Sequence, residues 1–540
     1  MIWLIIAIAA VISSGCHAAN TFSAKVELGY ATYVGTKLSN GVDEFIGIRY
    51  AEAPLGDLRF RAPQPPKQQS DIQRATSFGD YCIGTNETVD DGVSEDCLFV
   101  NIWRSSNATR ESKLPVWVFI QGGGFNLNYS PNYNGSEVVE KSNNNVVLVN
   151  FNWRVGVYGF LAGQPVKKFG DLNAGLLDQL ALLQWFGGNP DHVAVHGSSA
   201  GAGSVALHLL NPANTRLFAG AIMESTFMPT QPLASELEWQ YDRFIKDVGC
   251  TEGAAELQMQ CWREKTTEEL QKGNVATPFP GGPSQPLPVW PWTPCIDGDL
   301  IPDKPLDMYK RGEFIKVPMI IGNNENEGAY FAANASTEEE VRLFISSNYP
   351  QLSKTKISEI TRYYPQTKSV PQHAEWFPSA DQAYGESTCT CPALAILDAA
   401  EKFTNSQQPI SSEAVRLWSY HMNVYDEEYV SMGLGCPHGY EEGLIFGPSG
   451  TKIPKRYQPP ASFSTYNAPL VSVIMSYWIS FVRTLSPNSQ KDPRAPIWER
   501  WGHGNSRSKL LVRLGELRME PITEAQVTRC DFWNEMNRSL

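Results

Sequence analysis

Ser199 sits in Gly197-Ser198-Ser199-Ala200-Gly201, a Gly-x-Ser-x-Gly pattern between the β-branched run Val193–His196 and an Ala/Leu-rich stretch reaching Leu210. A serine on a sharp strand-to-helix turn is exposed as a nucleophile, and the glycines around it leave room for the backbone to pass. The first amide of the following helix, that of Ala200, then faces the negative charge that develops on an attacked carbonyl. Ser198 would lose the glycine on both sides and is the weaker candidate. A second glycine cluster, Gln121-Gly122-Gly123-Gly124-Phe125, follows the strand-like run Leu114–Ile120. Such a loop can turn bare amides, here those of Gly123 and Gly124, toward an oxyanion.

A serine alcohol needs a base, and the base needs a carboxylate to orient it and stabilise its charge. Of the eight histidines, His438 lies in the glycine-rich segment Gly433–Glu441. His192, His196 and His208 fall in strand or helix bodies, where packing is their expected role. His421 and His503 match no motif. For the acid, the strand-like run Val317–Ile321 leads into Gly322-Asn323-Asn324-Glu325-Asn326-Glu327-Gly328. Residue chemistry alone leaves Glu325 and Glu327 even. Either choice keeps the chain order serine, acid, histidine found in α/β hydrolases, and a base of ordinary imidazole pKa, about 6.5, is expected.

The elements that must carry these residues are short apolar runs alternating with longer helical segments. Val116–Ile120, Val146–Phe151, Val193–His196 and Val317–Ile321 read as strands, with Leu417–Met422 a weaker fifth. The pattern predicts an α/β fold with a large, mostly parallel central sheet flanked by helices. A small antiparallel part is expected at the N-terminus, from Ala24 to Tyr50, with a hairpin turn at Asn40-Gly41. No linker or repeat divides the chain, so residues 19–540 are expected to form one domain after a signal peptide at 1–18. No later stretch is long enough to cross a bilayer. The net charge of −13 argues against nucleic acid and anionic membrane surfaces.

Secretion agrees with two further features. Six sequons occur, at Asn86, Asn107, Asn128, Asn134, Asn334 and Asn537. Ten cysteines are present, nine once Cys16 leaves with the leader, so at least one thiol stays free. Close spacing pairs Cys82 with Cys97 and Cys250 with Cys261, while Cys295, Cys389, Cys391, Cys436 and Cys530 remain unassigned. No cysteine–histidine spacing resembles a zinc site, and neither metal nor organic cofactor is expected.

Taken together the motifs resemble the type-B carboxylesterase/lipase family, which includes cholinesterases and fungal lipases. Glu95-Asp96-Cys97-Leu98 through Trp103 is similar to the family's second signature, and Asn152-Trp153-Arg154-Val155-Gly156 to its Asn-Tyr-Arg-x-Gly segment. Gly47–Ala51 with Leu58-Arg59-Phe60 looks like its N-terminal block, and the match runs from about Ala24 to Trp501. The resemblance implies the α/β-hydrolase fold, supports both local disulfides, and selects Glu327, because the family's acid immediately precedes a glycine. It implies a Ser199–His438–Glu327 triad with the amides of Gly123, Gly124 and Ala200 as oxyanion hole.

Three departures bear on function. Position 198 is serine where many members carry glutamate. Between Trp185 and Phe186 about seven residues, close to two helical turns, are missing relative to the family; a true deletion and a gene-model error both fit. The Cys82–Cys97 loop holds no tryptophan to bind choline, which argues against a cholinesterase. Trp290 and Trp292 fall near the family's acyl pocket, or else pack in the core. The expected activity is a secreted carboxylic ester hydrolase, fungal in style, acting on small-molecule or lipid esters. A lipase for long-chain acylglycerols is the rival within enzymes, and a non-catalytic cholinesterase-like adhesion protein the rival outside them.

Overall fold

In a computed structural model, residues 23–539 are described except 91, 130–131, 186–191, 405–414, 452–457, 503 and 505. The proposed leader and the junction after Trp185 lie outside the described residues.

The strands in chain order are β1 (Ser23–Glu27), β2 (Thr32–Lys37), β3 (Val42–Arg49), β4 (Ile72–Arg74), β5 (Tyr81–Cys82), β6 (Val93–Ser94) and β7 (Phe99–Ser105). They continue with β8 (Val116–Ile120), β9 (Val147–Phe151), β10 (Val193–Ser198), β11 (Gly220–Glu224) and β12 (Met319–Asn324). Last come β13 (Leu417–Met422), β14 (Ser508–Arg513) and β15 (Glu516–Pro521). The main sheet runs β1-β2-β3-β7-β9-β8-β10-β11-β12-β13-β14-β15, with β4 beside β2. From β9 to β14 every neighbouring pair is parallel; toward both edges the pairs β1–β2, β2–β3, β3–β7, β7–β9 and β14–β15 are antiparallel. This is the α/β-hydrolase architecture, with its antiparallel part at the N-terminal edge and the turn after Leu38 closed by Gly41.

Strands covered on both faces read as unbroken apolar runs, and β8 and β10 are buried at every position. Successive side chains alternate between two cores. Val118, Ile120, Val149, Val195, Met223 and Ile321 face one; Trp117, Phe119, Leu148, Ile222, Ile320 and Trp418 face the other. The helix Ala200–His208 lies against β10 and β11. The apolar helix Ala468–Thr484 contributes Ile474, Tyr477, Trp478 and Phe481 to the opposite core.

Two motif arginines fasten the loops at the carboxyl ends of the strands. Arg154, after β9, donates from Nε and Nη2 to Asp178 on the helix Ala174–Trp185, at 2.8 and 2.6 Å. Arg59 grips Glu95 at 2.8 and 2.7 Å, beside the Cys82–Cys97 disulfide. Both pairs are buried, and losing one partner of such a pair typically costs about 3–5 kcal/mol. The Cys250–Cys261 disulfide is present, and Cys391 pairs with Cys530 across 139 residues. Cys295, Cys389 and Cys436 are free and buried.

The sequons divide. Asn86, Asn107, Asn134 and Asn334 are exposed, and the side chain of Asn537 lies outside the described residues. Asn128 is a correction: it is fully buried and its Nδ2 donates to the Trp153 carbonyl at 3.2 Å. No glycosyltransferase can reach it in the folded chain. No helix among the described residues is long and apolar enough to cross a membrane.

Candidate active site

Ser199 joins β10 to the helix Ala200–His208 with φ 57° and ψ −122°, a conformation that side-chain-bearing residues rarely adopt. The turn is locked from both sides. The Ser199 amide donates to the Glu224 carbonyl at 2.8 Å, and its own carbonyl accepts from Gly203 and Phe227 at 2.9 and 3.2 Å. Glycine is required around it: a Cβ on Gly197 would lie 2.2 Å from the Gly201 backbone, and one on Gly201 2.0 Å from the Ile120 carbonyl. Ser198 is the last residue of β10 and is buried. Beneath the turn, His196 and Glu224 stand 2.7 Å apart at zero exposure. Burial pushes the imidazole pKa well down and that of the carboxyl well up, so both stay neutral and the pair is packing.

The glycine loop closes over Ser199. Gly123 and Gly124 take φ +118° and +61°, and the Gly123 carbonyl accepts from the amides of Asn126 and Leu127, both at 2.9 Å. Asn126 Nδ2 holds the Gly124 carbonyl at 2.7 Å and the Trp292 carbonyl at 2.7 Å. A Cβ on Gly122 would touch Ser199 Cβ at 2.8 Å, which places the loop directly against the serine. The amides of Gly123, Gly124 and Ala200 find no acceptor among the described residues. That leaves three donors available to an anion.

The two glutamates left even by residue chemistry go to different histidines. Glu327 Oε2 lies 2.5 Å from His438 Nδ1, and Glu327 Oε1 accepts from the Asn324 amide at 2.8 Å and Asn323 Nδ2 at 3.2 Å. Glu325 lies 2.5 Å from His421 Nε2, whose other ring nitrogen meets Glu520 at 2.6 Å. His421 thus ties the acid loop to β15. His438 Nε2, buried, has no hydrogen-bond partner among the described residues. Burial alone would lower the His438 pKa, but the Glu327 carboxylate, together with the neighbouring Cys389 thiol, outweighs it and the net shift is well above the ordinary imidazole value. The expectation of an unperturbed base is corrected by this contact.

Several further side chains surround the pair. Glu441, three residues after His438, accepts from Ser225 and Tyr420, each at 3.0 Å, and from Asn324. Burial, then the Glu327 charge, lifts its pKa to about 7. Phe331 lies edge-on to His438 at 5.2 Å. Cys389 brings a buried thiol beside the same ring. Of these, Glu441 falls at the tail of the histidine loop, while Phe331 and Cys389 carry no sequence signal.

The two tryptophans separate. Trp290 packs on Gly124, since a Cβ there would fall 2.3 Å from its indole. It also lines a cavity of about 320 Å³ together with Phe227, Trp239, Phe279, Tyr349 and Tyr384. Trp292 is fully buried, outside the lining of that cavity, and is a core residue; its assignment to the substrate pocket is corrected.

The family model for the carboxylesterase family matches residues 23–533. Acetylcholinesterase of Bungarus fasciatus is 28% identical over 92% of this chain and 83% of its own length. Cholinesterase of Mus musculus is 27% identical over the same shares. The crystal structure of Aspergillus niger EstA superposes with a TM-score of 0.90 at 44% identity, covering 96% of this chain and 99% of that one. Family, relatives and fold agree: the chain belongs to the carboxylesterase family and is a carboxylic ester hydrolase.

Proposed function

We propose that this protein is a secreted esterase for small carboxylic esters, working through an acyl-enzyme on Ser199 with His438 as base and Glu327 as its orienting acid. The observation that carries the reading is the His438 ring itself, held by Glu327 on one nitrogen and unpartnered on the other, with a strained serine under a loop of free amides. His438 Nε2 takes the Ser199 proton as the oxygen attacks the carbonyl. The imidazolium formed is stabilised by Glu327, and the amides of Gly123, Gly124 and Ala200 receive the oxyanion, each worth about 10²–10³ in rate. His438 then protonates the departing alcohol, and water repeats the sequence to release the acid. Ser199→Ala should lower kcat by about four orders of magnitude or more, while Ser198→Ala keeps most of it; the reverse outcome would reassign the nucleophile.

Secretion is supported by three disulfides, which persist in oxidising compartments. A single domain over residues 19–540 accords with the sheet running from β1 to β15. Two of the named relatives are cholinesterases, but this chain has no tryptophan between Cys82 and Cys97 and we read it as a general esterase. The same loop speaks against a lipase lid. It carries the two-residue strands β5 and β6, buries Ile83 and leaves only Val89 as an exposed aliphatic residue, too little for an amphipathic cover. Hydrolysis of tributyrin across its solubility limit should show no jump; a sharp rise would restore the lipase reading.

A further inference from the structure

We propose that Cys389, His438 and Glu327 form a site for a thiophilic divalent cation, zinc being the probe of choice, and that its occupation arrests the enzyme reversibly. A donor atom from each residue lies within 4.8 Å of the other two, and all three side chains are largely buried. The cluster is assembled by the fold alone: Cys389 sits in the π-helical turn Glu386–Thr390, and its partners come from the loops after β12 and β13. The donor set is thiol sulfur, imidazole nitrogen and carboxylate oxygen, the ligands zinc takes in tetrahedral sites. Bond lengths of about 2.0–2.3 Å put tetrahedral donors roughly 3.3–3.8 Å apart, so a pair at the limit of the cluster closes by about 1–1.5 Å in total. Within the cluster, the His438 ring already interacts with the Cys389 thiol, and its buried Nε2 meets no oxygen or nitrogen partner among the described residues.

Charge favours the same ion. The thiol proton and, where His438 is imidazolium, its Nε2 proton leave to solvent as sulfur and nitrogen bond the metal; a dication with one thiolate, one carboxylate and a neutral imidazole is then electroneutral, which a buried site requires. Calcium and magnesium, which want oxygen ligands throughout, are the built-in control. With its lone pair and its carboxylate both taken by metal, His438 can no longer accept the serine proton. The inhibitory half of the proposal rests on the reading of Ser199 and His438 given above; the binding half does not.

Zinc chloride should inhibit p-nitrophenyl acetate hydrolysis reversibly with EDTA, and magnesium at the same concentration should not. Equilibrium dialysis of the Ser199→Ala protein should retain one zinc per chain, a readout that survives if Ser199 is not the nucleophile. Cys389→Val, with Cys389→Ser as a second variant should the first fail to fold, should lose that zinc. Each variant, scored against its own metal-free rate, should need at least about tenfold more zinc for half-inhibition. Equal zinc sensitivity in the wild type and both variants, or no zinc retained at micromolar concentration by the Ser199→Ala protein, overturns the proposal.

Discussion

Adding one methyl group at either of two adjacent glycines should give opposite results in a rescue experiment. At Gly124 the backbone has φ +61°, a region alanine reaches at a cost of about 1–2 kcal/mol. The three atoms nearest the added Cβ all belong to the Trp290 indole, at 2.3 to 2.5 Å. At Gly123, with φ +118°, the Cβ would instead lie 1.9 Å from the Leu127 carbonyl oxygen, which is backbone and cannot step aside. Each substitution displaces an amide from the proposed oxyanion hole, and one such donor is worth about 2.7–4 kcal/mol, or 10²–10³ in kcat. Trp290→Ala removes the obstruction at Gly124 and leaves the one at Gly123 in place. Adding it to Gly124→Ala should therefore recover at least about tenfold over the product of the single effects, a coupling of roughly 1.4–3 kcal/mol. The matching Gly123 cycle should show no coupling. The assay is kcat/KM on p-nitrophenyl acetate, whose small acyl group does not sense a widened pocket, with melting curves confirming that each variant is folded. Multiplicative effects in the Gly124 cycle, or rescue in the Gly123 cycle, would refute the contact-based reasoning.

Three further outcomes are expected. Activity should rise with pH as His438 loses its proton, with a midpoint above the ordinary imidazole value of about 6.5, because Glu327 raises the pKa against the opposing effect of burial. Glu327→Gln should bring the midpoint back down and cost about 10⁴ in kcat; an unmoved midpoint in the pH–rate profile would separate Glu327 from His438. Trp290→Ala should join the acyl site to the 320 Å³ cavity it lines, so that kcat/KM climbs about fourfold for each added methylene, at ~0.8 kcal/mol apiece. A chain-length profile across p-nitrophenyl esters identical to that of the wild type would place the cavity outside the acyl path. Glycopeptide mapping of secreted protein should find glycan at exposed sequons such as Asn86 and Asn334 and none at Asn128, whose amide is spent on Trp153; occupancy at Asn128 would contradict its buried placement.

The parts of the fold written in short-range apolar pattern were legible. β8 and β13 begin and end where the sequence puts them, and β9, β10 and β12 differ by one to a few residues at their ends. β11 went unseen because Gly220-Ala-Ile-Met-Glu224 is short and ends on a carboxylate that only the sheet's depth explains. The β14–β15 hairpin was hidden by its charges, which suit an edge. At the proposed site, local chemistry singles out the serine, the glycine loop and the histidine loop. It could not choose between Glu325 and Glu327, two residues apart, because the choice is made by His438 and His421 arriving from distant segments. For the same reason Cys391–Cys530 and the placement of Cys389 against His438 carried no signal. A sequon is likewise a three-residue pattern, and burial of Asn128 is decided by residues far from it.

The central claim is that ester cleavage passes through a covalent acyl-serine at Ser199. Acid-quenching p-nitrophenyl acetate turnover within the first catalytic cycles and mapping the digest by mass spectrometry tests it directly. The expected result is a burst of nitrophenol matched by one acetyl group on the peptide that holds Ser198 and Ser199, with fragmentation placing it on Ser199. Turnover without any acetylated peptide, or acetyl located on Ser198 or another residue, would contradict it.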